Sequence, residues 1–168
     1  MKLIMKRLTE QPSKYNDLEK KSVDELVTDI NTEDQLVALA IQKVLPDLSR
    51  LISAIEQQLK NGGRMFYLGC GSGGRLSVLD AIELPNTIVN VVLAGGVEHL
   101  VEALEEKEDD VTEGWETLLK ANISPRDIVV GISASGTTPY VLAALKACKE
   151  HGIPCGSIVH NPSSPISQ

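Results

Sequence analysis

The sequence predicts an α/β fold: a three-layer, doubly wound sandwich around a parallel sheet of at least four strands, preceded by N-terminal helices. Three observations carry this expectation. Beyond residue 60, short apolar runs alternate with helical patterns, the order that builds parallel sheets with helices on both faces. Before residue 60, apolar residues keep a helical period instead. Loops rich in glycine and hydroxyls follow two of the apolar runs, at the strand ends where such sheets bind ligands.

Residues 1–21 are polar and mixed, and read as an irregular arm. Ser22 and Glu25 in "SVDELVTDIN" have capping-box spacing and open a helix. "TEDQLVALAIQKVLPDLSRLISAIEQQLKNGG" repeats the device with Thr32 and Gln35. Leu36, Leu39, Val44, Leu48, Leu51 and Ile55 continue it at helical spacing. Pro46 is expected to kink or divide this helix, and Gly62 and Gly63 to stop it.

"RMFYLGCG" reads as the first strand and "RLSVLDAIEL" as a helix ended by Pro85. "IVNVVLAGG" is the second strand, and "VEHLVEALEEKEDD" and "VTEGWETLLKANI" are helical. "DIVVGISAS" is the third strand. The next helix, "PYVLAALKACKEHG", has Pro139 at its first position and Gly152 at its end. "CGSIVH" is the fourth strand, and the tail "NPSSPISQ" reads as a loop that leads nowhere. Residues 1–60 are thus expected to be an arm and helices packing on a domain formed by residues 61–168.

The chain has 168 residues, 42% of them apolar, enough for one packed domain. Aromatics are 3% and the formal net charge is −7, which argues against nucleic acid and anionic membranes as partners. No run approaches the ~20 apolar residues of a membrane span, and the charged N-terminus lacks a signal-peptide pattern. Cys70, Cys148 and Cys155 form no CxxC pair, as expected for a reducing, cytoplasmic setting. His99, His151 and His160 have no ligand-type spacing to a carboxylate or Cys, so neither a metal nor a cofactor is expected. All three read first as structural histidines; for His160, which ends the fourth strand, the strand-end rule leaves lining a pocket as the alternative.

In "GISASGTTPYV", Ser133, Ser135, Thr137 and Thr138 supply hydroxyls, and Gly136 lets the backbone approach a ligand. Thr138 is positioned to cap the helix that Pro139 begins, whose free N–H groups and dipole favour an anion. A phosphate monoester could be held there without a cation. A well-capped helix with nothing bound fits the same residues. The first loop, "GCGSGGR", offers Ser72 and Gly73. Its Gly69, Gly71 and Gly74 match the dinucleotide pattern GxGxxG, but the second strand ends in "LAGG", without the acid that grips a ribose.

Two such loops at neighbouring strand ends resemble the SIS (sugar isomerase) domain family of phosphosugar-binding proteins, whose phosphate loop has the form Ser-x-Ser-Gly-x-Thr, here "SASGTT". The resemblance is closer to the N-acetylmuramic acid 6-phosphate etherases and their relative, the glucokinase regulatory protein. It rests on "INTEDQLVALAIQKVLPDL", "GGRMFYLGCGSGGRLSVLDAIELP", "LAGG", "ALEEKEDD", "DIVVGISASGTTPYV" and "HNPSS", in that order.

The resemblance implies an SIS-like sheet, a phosphorylated amino sugar as ligand, a homodimer, and lyase chemistry. The D-lactyl ether at C3 would be cleaved to N-acetylglucosamine 6-phosphate and D-lactate by elimination and water addition, without a metal. It places Glu83 of "DAIELP" and Glu108 of "EEKEDD" as the acid/base pair, with Glu105 competing if the alignment slips by one turn. Without the resemblance, Glu83 reads as a solvated helix-end acid and Glu108 as part of a solvated charged run. Alternatives are a non-catalytic phosphosugar-binding regulator and an aldose–ketose sugar phosphate isomerase.

The chain departs from the family pattern at Ser72-Gly73, where Thr-Ser is usual, and at Thr137, where Arg is usual. Family members also continue for over a hundred residues past the equivalent of "NPSSPISQ", so a C-terminally truncated chain is expected.

Overall fold

The computed structural model describes residues 7–102 and 104–168. The chain forms two compact units. One is Glu10–Ala54; the other, of the described residues, is Ile55–Gln168 together with residues 7–9.

In the first unit, α1 (Val23–Gln42) begins at the expected capping box. Ser22 Oγ accepts from Glu25 N at 3.3 Å, and the Glu25 carboxylate accepts from Ser22 N at 2.8 Å. The second box, Thr32 with Gln35, does not form. Both residues lie inside α1, where Thr32 Oγ1 donates to the Thr28 carbonyl at 2.8 Å. Once Ser22 has nucleated the helix, extending it is cheap, and a mid-helix hydroxyl finds its partner four residues back. Pro46 divides rather than kinks. The helix stops at Gln42, and α2 (Leu45–Lys60) restarts with Pro46 in its first turn, where no N–H is missed.

In the second unit, β1 (Met65–Gly69), β2 (Val89–Leu93), β3 (Ile128–Ser133) and β4 (Cys155–Val159) form one parallel sheet in the order β2-β1-β3-β4. Met65 is in register with both Val89 and Ile128, and Val129 with Cys155. α4 (Glu113–Lys120) and α5 (Pro139–Glu150) pack together on one face, and α3 (Gly71–Ala81) lies along β1 and β2 on the other. Strand side chains alternate, so Phe66, Leu68 and Val129 meet Leu118, Val141 and Leu145 in the core on the α4/α5 side. α3 sits directly on β1: a Cβ on Gly69 would come within 2.9 Å of Gly74 Cα, so a side chain at either position would push the helix off the strand.

At the opposite end of the sheet Asp127, 2% exposed, joins the starts of β1 and β3. It accepts from Arg64 N at 2.8 Å and from the Arg64 guanidinium at 3.2 Å. Burial opposes its charge, but Arg64 and Ser124 outweigh that and hold its carboxyl below the usual range.

Other expectations need correction. "VEHLVEALEEKEDD" is no continuous helix: its regular pieces are two 3-10 turns, Val97–His99 and Glu105–Asp109. Seven of its fourteen residues are acidic and one is Lys, so helical spacing would stack like charges at i,i+3 and i,i+4. α3 starts at Gly71, four residues before Arg75, and ends at Ala81, before Glu83. The tail is not a loop that leads nowhere. Pro165–Ser167 forms a 3-10 turn, Ile166 enters the core, and Asn161 and Ser164 are at most 1% exposed.

Candidate functional site

The strand order creates a switch point between β1 and β3. From β1 the chain leaves through α3 toward β2; from β3 it leaves through α5 toward β4. The loops after these adjacent strands therefore open side by side, the position in such sheets where ligands bind.

In the β3–α5 loop the hydroxyls bond one another. Ser133 Oγ is 2.8 Å from Thr138 Oγ1 and 3.4 Å from Ser135 Oγ, and it accepts from Gly136 N at 3.0 Å. Ser135 Oγ accepts from Thr137 N at 3.2 Å and Thr137 Oγ1 at 3.0 Å. Thr138 is the N-cap residue of α5, but its side chain makes no capping bond; its hydroxyl goes to Ser133 instead. The first-turn N–H groups of α5 thus lack the side-chain cap that the sequence suggested.

Gly136 has φ +73°, and a Cβ there would overlap Ser164. Tail residues brace the loop at three further points. His160 N donates to the Ala134 carbonyl at 3.1 Å and Ile166 N to the Gly136 carbonyl at 3.1 Å. Asn161 Nδ2 donates to the Ser135 carbonyl at 2.9 Å, while its Oδ1 accepts from Leu8 N at 2.6 Å. Asn161 and Ser164 carry no signal of their own in the sequence beyond following a strand. Asn161 bonds Ser135, 26 residues away, and Ser164 packs against Gly136 while its hydroxyl bonds Ser167 nearby.

An open cavity of about 750 Å³ adjoins this loop. It brings together Ser133, Ser135 and Thr138 with Ser72, Gly73 and Glu108. His160 and Ile158 line its β4 side, and Tyr67 and Asp80 its floor beside α3. Gly136 is buried behind the loop surface rather than in the cavity wall, and Thr137 is half-buried outside that lining. The Glu108 carboxylate lies over the start of α3: its Oε1 would be 3.1 Å from a Cβ on Gly71. There the unpaired N–H groups and the helix dipole favour negative charge.

Two other groups in the cavity are held protonated. Burial, then the Glu108 and Glu113 charges, push the Cys70 thiol up to about 12. Burial and the hydrogen bond to Asp80, 2.8 Å, push Tyr67 up to about 12. A smaller cavity, about 260 Å³, shares Gly71, Ser72 and Glu108 with the first and extends to Arg75, His99 and Glu102.

Glu83 is not brought to either cavity. It is exposed, two residues past the end of α3. At 1.5 Å per residue it lies about 16 Å along the chain axis from Ser72, although Asp80, three residues before it, does line the larger cavity. The side chain of Glu105, the competing acid, lies outside the described residues.

The family model for the glucokinase regulatory protein N-terminal SIS domain matches residues 47–149. An N-acetylmuramic acid 6-phosphate etherase of Bacteroides fragilis is 50% identical over 96% of this chain and 59% of the relative. One of Porphyromonas gingivalis is 44% identical over 98% of this chain and 62% of the relative. The chain therefore spans about three fifths of the length of these curated relatives. Among solved structures, a phosphoheptose isomerase from Francisella tularensis superposes with a TM-score of 0.67 at 18% identity, covering 88% of this chain and 81% of that one. Another, from Neisseria gonorrhoeae, gives 0.60 at 23% identity, covering 82% and 75%. At such identities the likeness concerns the fold.

Proposed function

The chain belongs to the family of the glucokinase regulatory protein N-terminal SIS domain, and from that premise we propose that it binds a phosphorylated amino sugar and takes part in cleaving the D-lactyl ether of N-acetylmuramic acid 6-phosphate. The observation that carries this reading is that the hydroxyl loop and the Glu108 carboxylate line one cavity. The similarity to etherases at 44% and 50% identity supports the substrate.

The phosphate takes the hydroxyls of Ser133, Ser135 and Thr138 and the N–H groups at the start of α5, exchanging their mutual bonds for bonds to its oxygens. Ring opening exposes the aldehyde that makes the C2 proton acidic. A base removes that proton, the C2–H electrons form a C2–C3 double bond, and the C3–O bond breaks. Lactate leaves, its oxygen taking a proton from an acid. Water then adds, its hydroxyl to C3 and a proton to C2, giving N-acetylglucosamine 6-phosphate. Two carboxyl groups suit the acid and base steps.

Glu108 stands at the cavity; Glu83 does not. Glu83 enters the site from a second copy of the chain in a homodimer. In support, Leu76 and Leu79 on α3 and Ile82 just past its end form a stripe that is 58–68% exposed, and contiguous apolar patches of this kind mark interfaces. Antiparallel pairing of two α3 helices would set the end of one beside the start of the other. The three free cysteines suit a cytoplasmic setting.

The absence of Glu83 from the cavity lining also favours a second reading, a phosphosugar-binding regulator without chemistry. A D-lactate assay with N-acetylmuramic acid 6-phosphate decides between them. Lactate release that falls by about 10² or more in Glu108→Gln and in Glu83→Gln is the etherase result. Phosphosugar binding without lactate release is the regulator result.

A further inference from the structure

We propose that Arg75 forms a carboxylate subsite that grips the lactyl carboxylate, so that the chain distinguishes the muramic ligand from the same sugar phosphate without its lactyl group. This inference rests on the phosphosugar reading above and assigns its second anion. The proposed substrate carries a phosphate at C6 and a carboxylate on the C3 substituent. The hydroxyl loop accounts for the first alone.

The smaller cavity adjoins the larger one through Gly71, Ser72 and Glu108. A sugar whose phosphate lies in the loop and whose C3 faces Glu108 therefore has this cavity beside its ether substituent. Arg75 is the one Arg or Lys lining either cavity among the described residues. It is half-buried. Its Nη2 donates to the Glu102 carbonyl at 2.7 Å, which anchors one end of the guanidinium. Among the described residues no carboxylate lies within 4.0 Å of it. The Glu102 carboxylate is turned to His99 instead, 3.2 Å from Nδ1.

A positioned guanidinium with donors to spare is the group that takes a carboxylate through two parallel bonds. Discrimination by a charged hydrogen-bond partner also exceeds what an apolar wall can give.

The test uses two ligands that cannot turn over. Reduction to the alditol removes the aldehyde that makes C2 acidic, so N-acetylmuramitol 6-phosphate and N-acetylglucosaminitol 6-phosphate differ in the lactyl group alone. Calorimetry measures both on the full chain and on Arg75→Met and Arg75→Lys. The expected result is a loss of roughly tenfold to a hundredfold for the muramitol ligand in Arg75→Met. Binding of the glucosaminitol ligand stays at the wild-type level, and Arg75→Lys recovers part of the loss.

Equal losses for both ligands would mean that Arg75 only holds the Glu102 segment in place, and no loss for either would mean it is not a ligand; both results overturn the subsite. If the unaltered chain binds both ligands and Arg75→Met leaves them alike, the subsite falls and the phosphosugar reading stands. If it binds neither, both fall.

Discussion

Cys70 shows how one residue's surroundings settle its chemistry. It precedes the first turn of α3 and lines the proposed phosphosugar cavity, a position where a thiolate would be a nucleophile. Burial and two nearby carboxylates keep it protonated, with its pKa pushed up to about 12. Thiolate is the reactive form. Alkylation of Cys70 by iodoacetamide, followed site by site by mass spectrometry, should therefore be negligible at pH 8 and rise only as pH approaches 12. Rapid labelling near pH 8 would show that the loop is open and the thiol solvated. At the same scale, the hydroxyl types of the β3–α5 loop were legible because serine, threonine and glycine so dense at a strand end have few structural uses. Which of them face the cavity was not. Gly136 and Thr137 belong to the same run, yet Gly136 is turned inward onto Ser164 by its left-handed backbone.

Among elements, the four strands were readable from their apolar runs; the central β1 and β3, buried on both faces, need no polar alternation. The acidic segment after β2 was not readable, because its apolar spacing suggested a helix that its charges forbid. The tail was misread for another reason: its partners are remote. Asn161 joins Leu8, 153 residues away, to the Ser135 carbonyl, and nothing local announces such a pairing. Replacing it tests the bracing role. Asn161→Ala leaves the part-buried Ser135 carbonyl and the Leu8 N–H without their partner, at a cost of about 1–2 kcal/mol. A lower urea midpoint together with weaker phosphosugar binding is expected. Unchanged binding despite the lost stability would separate the tail from the loop's function.

For the molecule as a whole, strand order was the part that sequence could not supply, because neighbours in the sheet are set by non-local register. The order β2-β1-β3-β4 matters because it makes the two glycine and hydroxyl loops adjacent. The length of α3, not the strand order, sets Glu83 apart from the cavity mouth where Glu108 lies. Glu108 lines the cavity at the strand ends, whereas Glu83 follows α3 and is outside that lining. The exposed α3 stripe offers a way to complete the proposed acid/base pair.

All of this depends on a dianion being held by neutral donors alone. Titration calorimetry with N-acetylglucosamine 6-phosphate, set against N-acetylglucosamine, tests that dependence directly. Saturable binding of the phosphorylated sugar only, weakened about tenfold or more by Ser135→Ala, is the expected result. Equal binding of both sugars, or phosphosugar binding indifferent to Ser135, would contradict it.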